Sequence, residues 1–145
     1  MSMPGRILAL DYGAKKVGVA TTDPLQITAS PLQTVRYHAR DDLLKAINEI
    51  IGEKEPVLIV VGVPYTLDGG KSAFTEEVEE FITWLKENIE VPITTLDERY
   101  TSEDAKATLI EMGIKTGHNK EKVDAMAASH LLRFYLDSRS GENQS

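Results

Sequence analysis

Asp11 closes an apolar run, Ile7-Leu-Ala-Leu10, and is followed by Tyr12-Gly13-Ala-Lys15-Lys16 and a second apolar run, Val17-Gly-Val-Ala20. An acid at the end of a buried strand is costly unless it has a partner or a task. At the strand's rim it can bind a cation or a phosphate-bound metal. Two more acids, Asp97 and Glu98, close the run Val91-Pro-Ile-Thr-Thr-Leu96 and precede Arg99. A fourth, Asp124, lies one turn into a helical stretch. Residues three and four further on are Ala127 and Ala128, then Leu131 and Tyr135, so its carboxylate falls on or beside the apolar face. The chain has no cysteine, and His38, His118 and His130 are too scattered for a zinc triad. Carboxylates alone suit a hard ion, Mg²⁺ or Mn²⁺. Two such ions held about 3.5–4 Å apart can activate water and stabilise the leaving oxygen of a phosphodiester. Phosphodiester hydrolysis is the reaction class these acids imply.

Each acid also has a purely structural reading. Asp11 could cap a turn, Asp97 or Glu98 could pair with Arg99, and Asp124 could answer a helix dipole. Asp68-Gly69-Gly70 is a sufficient turn by itself. Delivery of several acids to one sheet edge favours chemistry.

The elements that would position them follow from hydrophobic spacing. Strands are expected at 6–11, 16–21 and 31–35, then a helix at 41–53, a strand at 57–62, a helix at 72–89, a strand at 91–96, and helices at 102–112 and 120–138. Leu43, Leu44, Ile47, Ile50 and Ile51 give the first helix its apolar stripe; Phe74, Val78, Phe81, Ile82 and Leu85 do so for the second. Thr101-Ser-Glu-Asp104 reads as a capping box and Gly113 as a helix stop. The order predicts an α/β fold: a mixed five-stranded sheet, an antiparallel three-strand meander extended by two parallel strands, with helices on both faces. Ligands of such sheets bind at the carboxyl ends of the parallel strands, where Asp11, Gly62 to Gly70 and Asp97 to Arg99 all fall.

At 145 residues, 41% hydrophobic and 27% charged, the chain has room for one domain, expected over 1–137, with a disordered tail from Ser138 to Ser145. No apolar run is long enough to span a bilayer and no signal peptide is visible, so no membrane is expected and the cytoplasm is the default location. A net charge of −7 argues against a basic coat for nucleic acid. Lys15, Lys16, Arg99, Lys115, His118, Lys120 and Lys122 nevertheless fall near the candidate segments.

Four segments together, Asp11 to Ala20, Gly62-Val-Pro64 with Asp68-Gly69-Gly70, Asp97-Glu98-Arg99-Tyr-Thr-Ser102, and Val123-Asp124-Ala-Met-Ala-Ala128, resemble the YqgF (RuvX) family of bacterial RNase H-like proteins. The resemblance spans roughly residues 5 to 137. It implies the RNase H-like fold and a nuclease that processes the 5′ end of pre-16S rRNA in ribosome biogenesis, or a Holliday junction resolvase acting on branched DNA. It further implies catalytic and metal-ligand roles for Asp11, Glu98 and Asp124. Asp97 competes with Glu98, because side chains alternate along a strand. Lys15, Lys16 and Arg99 would steady the phosphate, and Lys16 stands where the family commonly has arginine, losing the planar fork. Tyr100 and Ser102 also depart from the usual leucine and threonine.

Two other classes stay open. Actin-like ATPases and sugar kinases begin with a similar Asp-x-Gly hairpin but need two such domains, more than this length holds. A module that grips RNA or an assembly partner without cutting is the other. A resolvase cutting two strands symmetrically would want a homodimer, whereas an rRNA-trimming enzyme could act as a monomer.

Overall fold

The computed structural model describes residues 5–98 and 120–143. Strand β1 (Ile7–Tyr12) is the middle of a five-stranded sheet. On one side β2 (Lys16–Thr22) runs antiparallel to it, and β3 (Ala29–Arg36) runs antiparallel to β2. On the other side β4 (Leu58–Val63) pairs with β1 in parallel and β5 (Ile93–Asp97) pairs with β4 in parallel. The order β3-β2-β1-β4-β5 is the expected meander with parallel crossovers. Helix α1 (Arg40–Lys54) precedes β4, α2 (Ala73–Asn88) follows it, and α3 (Lys120–Asn143) ends the described chain. The helix expected at 102–112, its capping residues and Arg99 lie outside the described residues. None of the described helices is long and apolar enough to cross a membrane.

Alternation along the strands sorts the core into two layers. Leu8, Leu10, Val17, Val19, Ile59 and Val61 pack beneath α1 and α2 against Leu43, Ile47, Val78, Phe81 and Leu85. Ile7, Ala9, Ala20 and Val60 face the other way, against Ala128, Leu131, Leu132 and Leu136 of α3. With both faces covered, the central strands read as continuous apolar runs.

Three details depart from expectation. Phe74, assigned to the buried stripe of α2, is 42% exposed, and its ring rests against Tyr12 at 6.1 Å. The buried position belongs to Thr75, which forms a capping box with Ser72 and donates to the Pro64 carbonyl at 2.5 Å. Strand β3 is longer than the 31–35 expected. Finally, α3 continues through Asn143 where a tail was expected from Ser138. Ser138, Ser140 and Gly141 are weak helix formers, but a long-range contact holds the segment. Arg139 lies over the Tyr135 ring and donates to Gln26 Oε1 at 2.7 Å, while Gln26 Nε2 donates to the Gly5 carbonyl at 3.0 Å.

The seat of α3 depends on Gly18. A Cβ there would lie well under 3 Å from the backbone carbonyl oxygen of Asp124, which cannot move aside as a side chain could. Gly18→Ala must therefore lift the start of α3 from β2. We expect a loss of about 1–3 kcal/mol in urea unfolding; a midpoint equal to wild type would show that the helix is not seated there.

Candidate active site

Tyr12 fixes the direction of Asp11. Its ring packs on Phe81 at 4.4 Å in the layer under α1 and α2, so the preceding residue faces α3. Directly opposite Asp11 in the antiparallel register is Gly18, the residue that carries the Asp124 backbone. Asp11 and Asp124 therefore meet at one point of the sheet, one from a strand end and one from the helix laid over it.

The same alternation separates Asp97 from Glu98. Ile93 packs with the α1 and α2 layer and Leu96 with the α3 layer, which puts Glu98 on the face of Asp11 and Asp97 on the opposite face. Gly62 makes room for Glu98. A Cβ at Gly62 would collide with Glu98 Oε1 and Cγ and with Leu131 Cδ1.

The carboxylates perturb one another. Burial, then the charge of Glu98, its hydrogen bond and the charge of Asp124 together push the Asp11 carboxyl well above the usual range. Glu98 is also raised, by burial first; the hydrogen bond from Asp11 works the other way and the Asp97 charge adds to the rise. The hydrogen bond between them favours the protonated form of Asp11 and the charged form of Glu98. Asp124 is neutralised differently: Lys16 Nζ lies 2.7 Å from its Oδ2, with the two side chains 20% and 25% exposed. Among the described residues, no three His, Cys, Asp or Glu side chains are gathered closely enough to hold a metal ion.

Lys16, expected to face a phosphate, instead turns inward to Asp124. Lys15 is exposed at the hairpin, whose backbone is pinned by Tyr37: the phenol donates to the Gly13 carbonyl at 2.8 Å and Tyr37 N–H donates to the Lys15 carbonyl at 3.1 Å. Asp68 serves its own turn, accepting from Thr66 Oγ1 and, at 3.0 Å, from Gly70 N–H. Sequence reasoning gave Gly18 no role, although a glycine inside a strand is itself a signal of close backbone approach. Nothing in the sequence pairs Lys16 with Asp124.

A family model described as RuvX, Holliday junction resolvase, matches residues 5–138. The chain belongs to the RuvX family. Among its curated relatives, a protein of Roseiflexus sp. named "Putative pre-16S rRNA nuclease" is 38% identical, covering 95% of this chain and 98% of the relative. A protein of the same name from Koribacter versatilis is 41% identical, with 93% and 88% covered. Among solved structures, Thermus thermophilus RuvC in complex with a Holliday junction substrate superposes with a TM-score of 0.59 at 13% identity, covering 94% of this chain and 96% of that one. The fowlpox virus resolvase, in complex with Holliday junction DNA, gives 0.58 at 12%, covering 92% and 97%. At such identities the likeness is one of fold: this RuvX family member has the RNase H-like architecture of the resolvases.

The raised Asp11 carboxyl has a consequence for stability. The folded protein holds this proton more tightly than the unfolded chain does, so unfolding releases it. Stability from this source is complete below the unfolded value of about 4 and is lost as pH rises through the folded one. In chelating buffer, wild type should melt lower at pH 8 than at pH 5. Asp11→Asn, lacking the titration, should gain on wild type at pH 8 by a few degrees, each kcal/mol being about 3–4 °C for a chain of this size. Parallel pH profiles of the two proteins would remove Asp11 as the source.

Proposed function

We propose that the chain is a divalent-metal-dependent endonuclease that hydrolyses phosphodiester bonds of RNA, processing the 5′ end of pre-16S rRNA in the cytoplasm. The observation that carries this reading is the placement of Asp11, Glu98 and Asp124, from three segments remote in sequence, on one face at one end of the sheet, where the charges of Glu98 and Asp124 both act on Asp11. The donor set fits a hard cation: all three offer carboxylate oxygens, and Asp124 Oδ2, shielded from solvent, has no hydrogen-bond partner beyond the Lys16 ammonium among the described residues. Asp11, Glu98 and Asp124 would hold Mg²⁺ or Mn²⁺. One ion, or a pair, supplies activation of the attacking water and stabilisation of the leaving oxygen.

The chain's own groups prepare that chemistry. Asp11 and Glu98 become ligands only by giving up the proton they share, so cation binding is favoured by rising pH. Asp97, on the opposite face, acts on Glu98 through its charge. Lys15, exposed at the pinned hairpin, attracts the backbone phosphates. Arg99, next in sequence to Glu98, is assigned the bidentate phosphate clamp. The names of the relatives, which match this chain over nearly its whole length, favour rRNA as substrate. The family description favours a second reading, resolution of four-way DNA junctions, for which a two-fold homodimer would supply symmetric cuts.

Asp11→Asn should lower Mg²⁺- or Mn²⁺-dependent cleavage of a pre-16S 5′ leader by about 100-fold or more while keeping the wild-type circular dichroism spectrum. Undiminished cleavage by the variant would overturn the assignment. Cleavage of four-way junctions with none of the RNA leader would replace the rRNA reading by the resolvase one.

A further inference from the structure

Asp124 is the least settled of the three acids. Its charge reaches Asp11, yet no three acids are gathered into a metal-holding group among the described residues. Its carboxylate is instead engaged by Lys16. The ammonium lies 2.7 Å from Asp124 Oδ2, and both atoms are shielded from solvent with no further hydrogen-bond partner among the described residues. An ammonium has three donors, and a network that used them all would make the contact permanent. Here it is a point charge on a flexible four-carbon stem, which can withdraw.

We propose that Lys16 is a positioning residue that competes with the divalent cation for Asp124: the ammonium must leave Oδ2 before Asp124 joins Asp11 and Glu98, and Lys16 thereby sets the metal affinity of the site. The inference rests on the nuclease reading, since it takes the three acids as the ligand set. Two features confine the exchange to side chains. The Asp124 backbone packs directly on Gly18, where only the absence of a side chain lets it lie. Lys16 itself begins β2, paired with Arg36 across the ladder to β3, so only its stem is free to move. A cation arriving at Oδ2 meets a like charge, and its affinity carries the cost of displacing it. Once displaced, the ammonium stands at the rim beside Lys15, where a substrate phosphate can receive it.

The test is Mn²⁺ binding by calorimetry, read without substrate. Lys16→Met keeps the stem and removes the charge, and should bind Mn²⁺ roughly tenfold or more tightly than wild type, the size expected for one charge a few ångströms away. Lys16→Arg, which keeps the charge, should remain close to wild type. Lys16→Gln gives the same reading as methionine should Lys16→Met fail to fold. Unchanged or weaker binding by the neutral variants, with wild-type binding abolished in Asp11→Asn, overturns the role of Lys16 alone. Absence of Mn²⁺ binding in wild type and variants alike overturns both this role and the metal-dependent nuclease reading.

Discussion

Helix α3 can bring an acid to the sheet only because one residue of β2 has no side chain. Gly18 lies opposite Asp11 and beneath the Asp124 carbonyl, so a single missing Cβ sets the distance between strand and helix at the place where the acids meet. The apolar layer of Ala128, Leu131, Leu132 and Leu136 supplies the force that presses the helix down. It does not decide how near the helix comes. Gly62 plays the corresponding part on the far side of β1, opening the space that Glu98 enters. The acids converge by subtraction of bulk from the sheet.

Convergence has an electrostatic cost, because three carboxylates brought out of water repel one another and lose hydration. Two different cations meet that cost. The raised Asp11 carboxyl favours a proton beside Glu98, and the Lys16 ammonium lies against Asp124. The protein thus keeps its acids poised, and any divalent cation that binds must replace charges already present.

The sheet was legible in the sequence because its evidence is local. The apolar runs 7–10, 17–20 and 57–61 announce covered strands, and the switch to helical spacing after Arg40 announces the crossovers. Asp11 and Asp124 were legible for the same reason, as polar interruptions of apolar patterns. Which of Asp97 and Glu98 shares the face of Asp11 depends on the way Leu96 faces, and that direction comes from packing across the sheet. Three other features depend on residues distant in the chain and leave no local trace: the exposure of Phe74 beside Tyr12, the inward turn of Lys16, and the persistence of α3 beyond Ser138.

That persistence makes α3 a gauge. The helix is located near one end by the Gly18 contact at Asp124 and near the other by the Arg139 bond to Gln26, points fifteen residues apart and so about 22 Å along the axis. Adding or deleting one residue between them would shift the helix by about 1.5 Å and turn it by about 100°, swinging Asp124 off the face shared with Asp11 while leaving the apolar composition untouched. Substitutions within the span can be absorbed by repacking, but its length cannot vary. Over that stretch the chain is constrained by a count of residues more strictly than by their identity.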